Sequence, residues 1–253
     1  MVATFRIGLK NVLGSNWTRT HHRWPGRAVM LGREMNGPDG MLASVYFLVE
    51  VNRRAERRSL AEILPGWDVA RSPHGCNDVY SDPTVHRLVD WTEVALGTRT
   101  RQQRYVTIAR YEHLASGVEW TGATTHLSSS VHTTPEKAAE SRAVQGRRLA
   151  ELGAEHGIDI LTGDINNTVV REDTPRGILE AAGYTDWRVA TEVENVGYDT
   201  HRPIGESPRQ GGKHLDAIYL GPRASALEGR VQITEPDSSD HLGLACTVAI
   251  RAD

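Results

Sequence analysis

A helical segment that ends on a glycine and turns at once into a buried strand restricts the architecture of this chain more than any other feature. Thr133 and Glu136 stand at capping-box spacing, Pro135 falls in the first turn, and Gly157 is placed for a left-handed C-cap. Ile158–Thr162 follows without a break as a short apolar run of buried-strand type. Helix and strand together read as a βα-type unit, which belongs to a layered α/β domain.

Most of the remaining chain reads as β. Thr4–Lys10 alternates, with Phe5, Ile7 and Leu9 on one face, and Ser44–Val51 is nearly continuous in apolar residues. Arg53–Leu64 reads as a helix stopped by Pro65-Gly66. Val85–Leu96, Arg104–Tyr111 and Val118–Leu127 are rich in β-branched and aromatic residues. Leu215–Leu220, Arg230–Thr234 and Leu242–Ile250 return to β near the end, and Gly197–Gly212, dense in Gly and Pro, reads as a loop bordering a site. Many strands with a few helices between them predict two packed sheets with helices outside, in a single domain over residues 1–253.

Composition sets limits on function. An apolar share of 39% with 24% charged residues describes an ordinary globular chain, and the longest apolar stretches are strand length, too short to span a membrane. Cys76 and Cys246 lack partner spacing, which excludes a thiolate metal site and fits a reducing compartment. The start of the chain has no basic-then-apolar leader, so a cytoplasmic location is expected. The net charge of −3 gives no global basic field for nucleic acid, although a bound divalent cation supplies positive charge locally.

Polar residues gather at the ends of the buried strands. Asn11 ends the first strand and Glu50 closes the run Tyr46–Val51, where a carboxylate is costly unless paired or bound to a cation. Gly163-Asp164-Ile165-Asn166 presents Asp and Asn two residues apart, on the same side if the chain is extended; an Asx-type turn is the ordinary alternative. Asp216 lies inside an apolar strand and needs a partner such as an imidazole N–H. Ser239-Asp240-His241 offers a metal-ligand oxygen beside an imidazole, and Thr125-His126 adds a second His at a strand end. Each piece alone has a structural explanation; the ordered set does not.

In that order, these motifs closely resemble the endonuclease/exonuclease/phosphatase superfamily, the deoxyribonuclease I-like proteins, from about Thr4 to Ile250. The resemblance implies a four-layered α/β sandwich, two packed mixed sheets flanked by helices, with the site at one edge of both sheets. It implies that Glu50, with Asn11 and Asp240, binds Mg2+ or Mn2+ through hard oxygen ligands. Asp164 would orient or deprotonate the attacking water, Asn166 and His241 would hold phosphate oxygens, and Asp216 would orient His241. His126 would act near the phosphate or leaving group, and Arg104 would contact the substrate backbone.

Two departures from the family pattern stand out. Val49 occupies the place of a Gln before the metal-binding Glu, and the second Glu that backs the His equivalent to His126 has no clear counterpart, Asp78 being the nearest carboxylate. The implied activity is a metal-dependent phosphodiesterase, a nuclease acting on DNA or RNA, with no obligate protein partner. The alternatives are a hydrolase of phospholipids or small phosphoesters and a non-catalytic nucleic-acid-binding module. The exposed aromatic hairpin usual in sphingomyelinase-like members is missing, and Glu50, Asp164 and His241 all remain.

Overall fold

The computed structural model describes residues 1–14, 24–98, 102–131, 133–204, 206–233 and 238–253. In chain order its elements are β1 (Val2–Asn11), α1 (Trp24–Asn36), β2 (Val45–Val49), α2 (Arg54–Ile63), β3 (Asp68–Ala70) and β4 (Asn77–Ser81). There follow β5 (His86–Ala95), β6 (Tyr105–His113), β7 (Val118–His126), α3 (Pro135–His156), β8 (Ile160–Asp164) and α4 (Pro175–Ala181). The last are β9 (Thr185–Asp186), α5 (Trp187–Ala190), β10 (Val193–Glu194), β11 (Asp216–Leu220), β12 (Ala224–Gln232) and β13 (Gly243–Arg251).

The strands form two mixed sheets. One has the order β10-β12-β13-β1-β2-β4-β3, the other β5-β6-β7-β8-β11-β9. Phe5, Ile7, Leu9, Phe47, Trp120 and Ile218 fill the space between them. On the far side of the first sheet, Leu31, Met35 and Leu60 of α1 and α2 cover Tyr46, Leu48 and Tyr80. Leu149, Leu152 and Leu179 of α3 and α4 cover Ile108 and Leu161 of the second sheet. The expected four layers are therefore present. β2 is apolar along its whole length because both of its faces are covered.

The helix α3 is the crossover between parallel strands β7 and β8, as the βα unit requires. Its cap sits one residue later than Thr133. Thr134 precedes Pro135, is held extended (φ −72°, ψ 152°), and accepts from Lys137 N. Gly157 closes the helix at φ 60° as expected. The strand expected at Arg230–Thr234 is instead the C-terminal part of β12, which begins at Ala224 and alternates more weakly in burial; Thr234 lies outside the described residues. Cys76 and Cys246 are both free thiols. No described helix is long and apolar enough to cross a membrane.

His86 shows how polar groups are accommodated in the inner layer. Its ring contacts Phe5 and Trp120, with Nε2 against Ser44 Oγ (3.0 Å) and Nδ1 accepting from Trp120 Nε1 (3.4 Å). Burial, with the neighbouring His113 adding and Asp82 opposing, pushes its pKa down to about 3. The unfolded chain titrates this group near 6.5, so its contribution to stability is intact above that pH and is lost as pH falls toward 3. The expected acid loss is on the order of a few kcal/mol. His86→Gln should flatten the stability profile between pH 6.5 and 3, measured by urea unfolding; an unchanged slope would contradict the assignment.

Candidate active site

Strand register brings the chemistry-bearing residues to one edge of both sheets. In the second sheet, His126 of β7 and Asp216 of β11 are both in register with Asp164 of β8, so the three stand abreast. In the first sheet, Asn11 at the end of β1 pairs with Val49, which places Glu50 just beyond β2. β13 runs antiparallel to β1 on its other side, which delivers Asp240 and His241 to the same edge. A cavity of about 510 Å³ opens here, lined by Glu50, Arg104, His126, Asp164, Asn166, Asp240 and His241 among others.

Gly163 is dictated by this geometry. A Cβ there would lie 2.0 Å from the carbonyl oxygen of Thr125 on β7, and the residue adopts φ 150°. The chain beyond Asp164 is not extended as expected, because Asn166 takes a left-handed conformation (φ 51°). Its N–H donates to Asp164 Oδ1 (2.9 Å) and its Nδ2 to the Leu127 carbonyl (3.1 Å). The Asx-type turn is therefore real, and it is also what aims Asn166 at the cavity. Leu13, Glu50 and Cys76 are likewise left-handed, and all three line the same cavity. Non-glycine residues adopt this conformation at a cost and gather at functional sites.

Asp216 Oδ2 lies 2.7 Å from His241 Nδ1, and both side chains are buried. Burial opposes the charged ring, but Asp216, together with Asp164 and Asp240, lifts the His241 pKa to about 10. His241 Nε2 stands 3.7 Å from Asp164. Burial raises the Asp164 carboxyl to about 7; the His241 charge opposes this, and Asp216 and Glu50 add to it. His126 sits between Glu50 (3.7 Å) and Asp164 (3.6 Å). Burial, with Arg104 and His241 adding, holds it well below its ordinary pKa, so it is a neutral ring.

The carboxylates of Glu50 and Asp164 share one amide. Asn11 Nδ2 donates to Glu50 Oε1 (3.1 Å) and Asp164 Oδ2 (3.2 Å), while Gly14 N–H donates to Glu50 Oε2 (3.1 Å). Among the described residues neither carboxylate forms an ion pair with Arg or Lys. Two converging, largely buried carboxylates with only an amide and a neutral imidazole between them offer oxygens that suit a hard divalent cation. The Asn11 oxygen itself accepts from the Leu13 N–H (3.0 Å), so turning it toward a cation would give up that bond. Asp240 lies across the cavity, with His201 Nε2 3.6 Å from its Oδ2 and the His201 ring edge-on to His241 (4.8 Å). Their proximity makes His201, Asp240 and His241 a second candidate ligand group.

Arg104 faces Asp164 and Glu50 electrostatically, and its Nε is buried without a hydrogen bond. Arg209 and Lys213 do not line the cavity, and Arg101 lies outside the described residues. Asp78 does not back His126. It is taken up by Arg57 Nε (3.1 Å) and Ser72 N (2.9 Å), which pin the β3–β4 loop. His201 confirms the Gly197–Gly212 segment as a border of the site, although Gly205 within it lies outside the described residues.

Besides His201, three contributors went unnoticed in the sequence. Arg27 of α1 donates to the carbonyls of Val12 (2.8 Å), Leu13 (2.7 Å) and Ser238 (3.0 Å), tying the loop after β1 to the segment before Asp240. Lys10 Nζ is buried against Glu34 Oε1 (2.6 Å) and the His241 carbonyl (2.6 Å). His74 lines the cavity from the β3–β4 loop. A lysine inside the alternating strand Thr4–Lys10 is the one signal that could have flagged any of these.

No protein-family model matches the sequence, and no curated protein matches it significantly. Solved structures do. An endonuclease/exonuclease/phosphatase family protein from Bacteroides thetaiotaomicron is 14% identical, with 99% of each chain covered and a TM-score of 0.81. A mannosyl-6-phosphatase from Bacteroides thetaiotaomicron VPI-5482 is 14% identical (96% of this chain, 98% of that one, TM-score 0.76). TDP2 from D. rerio, complexed with a single-strand DNA product, is 16% identical (97% and 99%, TM-score 0.69). The resemblance read from the motifs thus holds at the level of architecture: this chain has the endonuclease/exonuclease/phosphatase, or deoxyribonuclease I-like, fold.

Proposed function

We propose that residues 1–253 act as one domain, a divalent-metal-dependent phosphodiesterase that cleaves nucleic-acid backbones. The observation that carries this reading is the convergence of Glu50, Asp164 and the Asp216–His241 pair on one cavity, with the Asn11 amide bridging the first two. Glu50, Asn11 and Asp240 would hold Mg2+ or Mn2+, which when bound offsets negative charge developing on the phosphate. Asp164 orients the attacking water and takes its proton, since a carboxylate whose pKa is near neutrality is matched to that task. His241, kept charged by Asp216, donates to one non-bridging oxygen and the Asn166 amide to the other, while Arg104 contacts the substrate backbone. His126, being neutral, offers one N–H and one lone pair near the leaving group.

The likeness to TDP2 with its single-strand DNA product supports a polynucleotide substrate. The likeness to a mannosyl-6-phosphatase and the net charge of −3 favour a second reading, a hydrolase of small phosphoesters. The two differ in salt dependence. Binding of the Asp164→Asn variant to a duplex should fall with salt at a log–log slope of roughly 0.9 per neutralised phosphate. A shallow slope together with ready cleavage of a sugar phosphate would favour the second reading.

Chelation should abolish turnover, and Mg2+ or Mn2+ should restore it. Mn2+ should also raise the melting temperature of the wild type, and Glu50→Gln should weaken that rise while leaving the metal-free melting temperature within a few degrees. Full activity after exhaustive chelation would sink the reading. A Glu50→Gln variant that unfolds and ignores added metal would make Glu50 a structural group instead.

A further inference from the structure

The loop between β3 and β4 forms one wall of the cavity, with His74, Gly75 and Cys76 facing it. Glu93 reaches into this loop from β5. Its carboxylate accepts from the Ser72 hydroxyl, from the backbone N–H groups of His74 (3.2 Å) and Gly75 (2.8 Å), and from His74 Nδ1 (2.8 Å). The side chain is only 6% exposed and, among the described residues, has no Arg or Lys partner. Burial alone would raise its pKa, but the donors from Ser72, Gly75 and His74 outweigh burial and keep it ionised. A buried charge is thus committed entirely to one surface loop.

That commitment orients His74, whose side chain is otherwise 68% exposed. The ring stacks on Tyr105 (centroids 5.5 Å apart, 27° between planes), and Gly75 lies so close to Tyr105 that a Cβ would fall 2.7 Å from the Tyr105 Cβ. With Nδ1 held by Glu93, Nε2 is the nitrogen left to meet a ligand. Arg104, one residue before Tyr105, lines the same cavity with its unbonded Nε. The arrangement repeats the chemistry of Asp216 and His241, a carboxylate-backed imidazole facing the site. To bind an anion at Nε2, the ring must donate from both nitrogens, one to Glu93 and one to the anion.

We propose that His74, clasped by Glu93 and stacked on Tyr105, is a substrate-positioning residue that with Arg104 holds a second phosphate beside the one being cleaved. The preferred substrate is then one with phosphates in series, an oligonucleotide, rather than an isolated phosphodiester. This rests on the phosphodiesterase reading above. The test compares kcat/KM on a single-stranded tetranucleotide with kcat/KM on bis(4-nitrophenyl) phosphate, which has no second phosphate. His74→Ala should lower the ratio of the two about tenfold, the size expected for one lost charge-assisted hydrogen bond, and should do so through the KM for the tetranucleotide.

His74→Lys should keep most of the ratio. Glu93→Gln should lower it in the same direction, and the double variant should be little worse than His74→Ala. An unchanged ratio in His74→Ala, with only a lower melting temperature, would mean that the clasp merely braces the loop and would overturn the proposal. A loss in His74→Ala that Lys fails to rescue would overturn the charge-based role. A wild type that turns over neither substrate with Mg2+ or Mn2+ would remove the phosphodiesterase reading itself, an outcome distinct from both.

Discussion

Asp164→Asn is expected to lower kcat/KM on any phosphodiester this chain cleaves by about 10²–10⁴-fold, the range for loss of a general base. The fold should survive, because Asn accepts the same Asn166 N–H and is not charged in a buried place. The wild-type pH profile carries the sign. Asp164 must be ionised, so activity rises with pH through an acid limb at or below 7, positive charge nearby moving it lower. His241 must be protonated, so activity is kept until pH approaches 10. Asp216→Asn removes a negative charge from both neighbours, and both limbs should move to lower pH. His241→Ala and Asp216→Asn should each slow turnover strongly, and together they should cost little more than His241→Ala alone, since the two act as a unit. Additive losses, or limbs that stay put in Asp216→Asn, would contradict this account.

Lys10→Met is expected to destabilise the protein by about 3–5 kcal/mol, because it strands the Glu34 carboxylate in a site that is essentially closed to water. Among the described residues Glu34 would keep only the Ser238 hydroxyl, and the His241 carbonyl would lose its Lys10 donor. The melting temperature should fall by on the order of 10 °C for a chain of this size. Lys10→Met with Glu34→Leu should recover most of the loss, since an apolar pair of similar volume fits a buried ion-pair site. A single Lys10→Met as stable as the wild type in urea would contradict this account of the pair.

The elements legible in the sequence were those whose burial follows a simple period. β1 alternates, β2 is apolar throughout, and α3 carries Pro and Gly punctuation at its two ends. The helix α1 escaped notice because it buries Arg27 and Glu34 among its apolar residues, and these are satisfied by backbone carbonyls and Lys10 rather than by composition. β4 was missed for the same reason: Asn77, Asp78 and Ser81 are buried polar residues, and Asp78 is matched by Arg57 from a different element. At the site, the ends of strands marked Asn11, Glu50, His126, Asp164 and His241, and an apolar setting marked Asp216; the structure brings all six together. What no local pattern could reveal was how they are held: the left-handed turn at Asn166, the Glu93 clasp on His74, and Lys10 beneath His241. Each of these links residues far apart in the chain, or depends on a backbone angle that residue type alone does not specify.

The pairing of β1 with β13 has a consequence for the newly made protein. Asp240 and His241 are made more than two hundred residues after Asn11, yet the three reach one sheet edge only once β13 lies along β1. Until then β1 is an unpaired edge in what will become the middle of its sheet, and the Asp216–His241 pair is not yet formed. The cavity is therefore completed in one late step, when the molecule closes on itself.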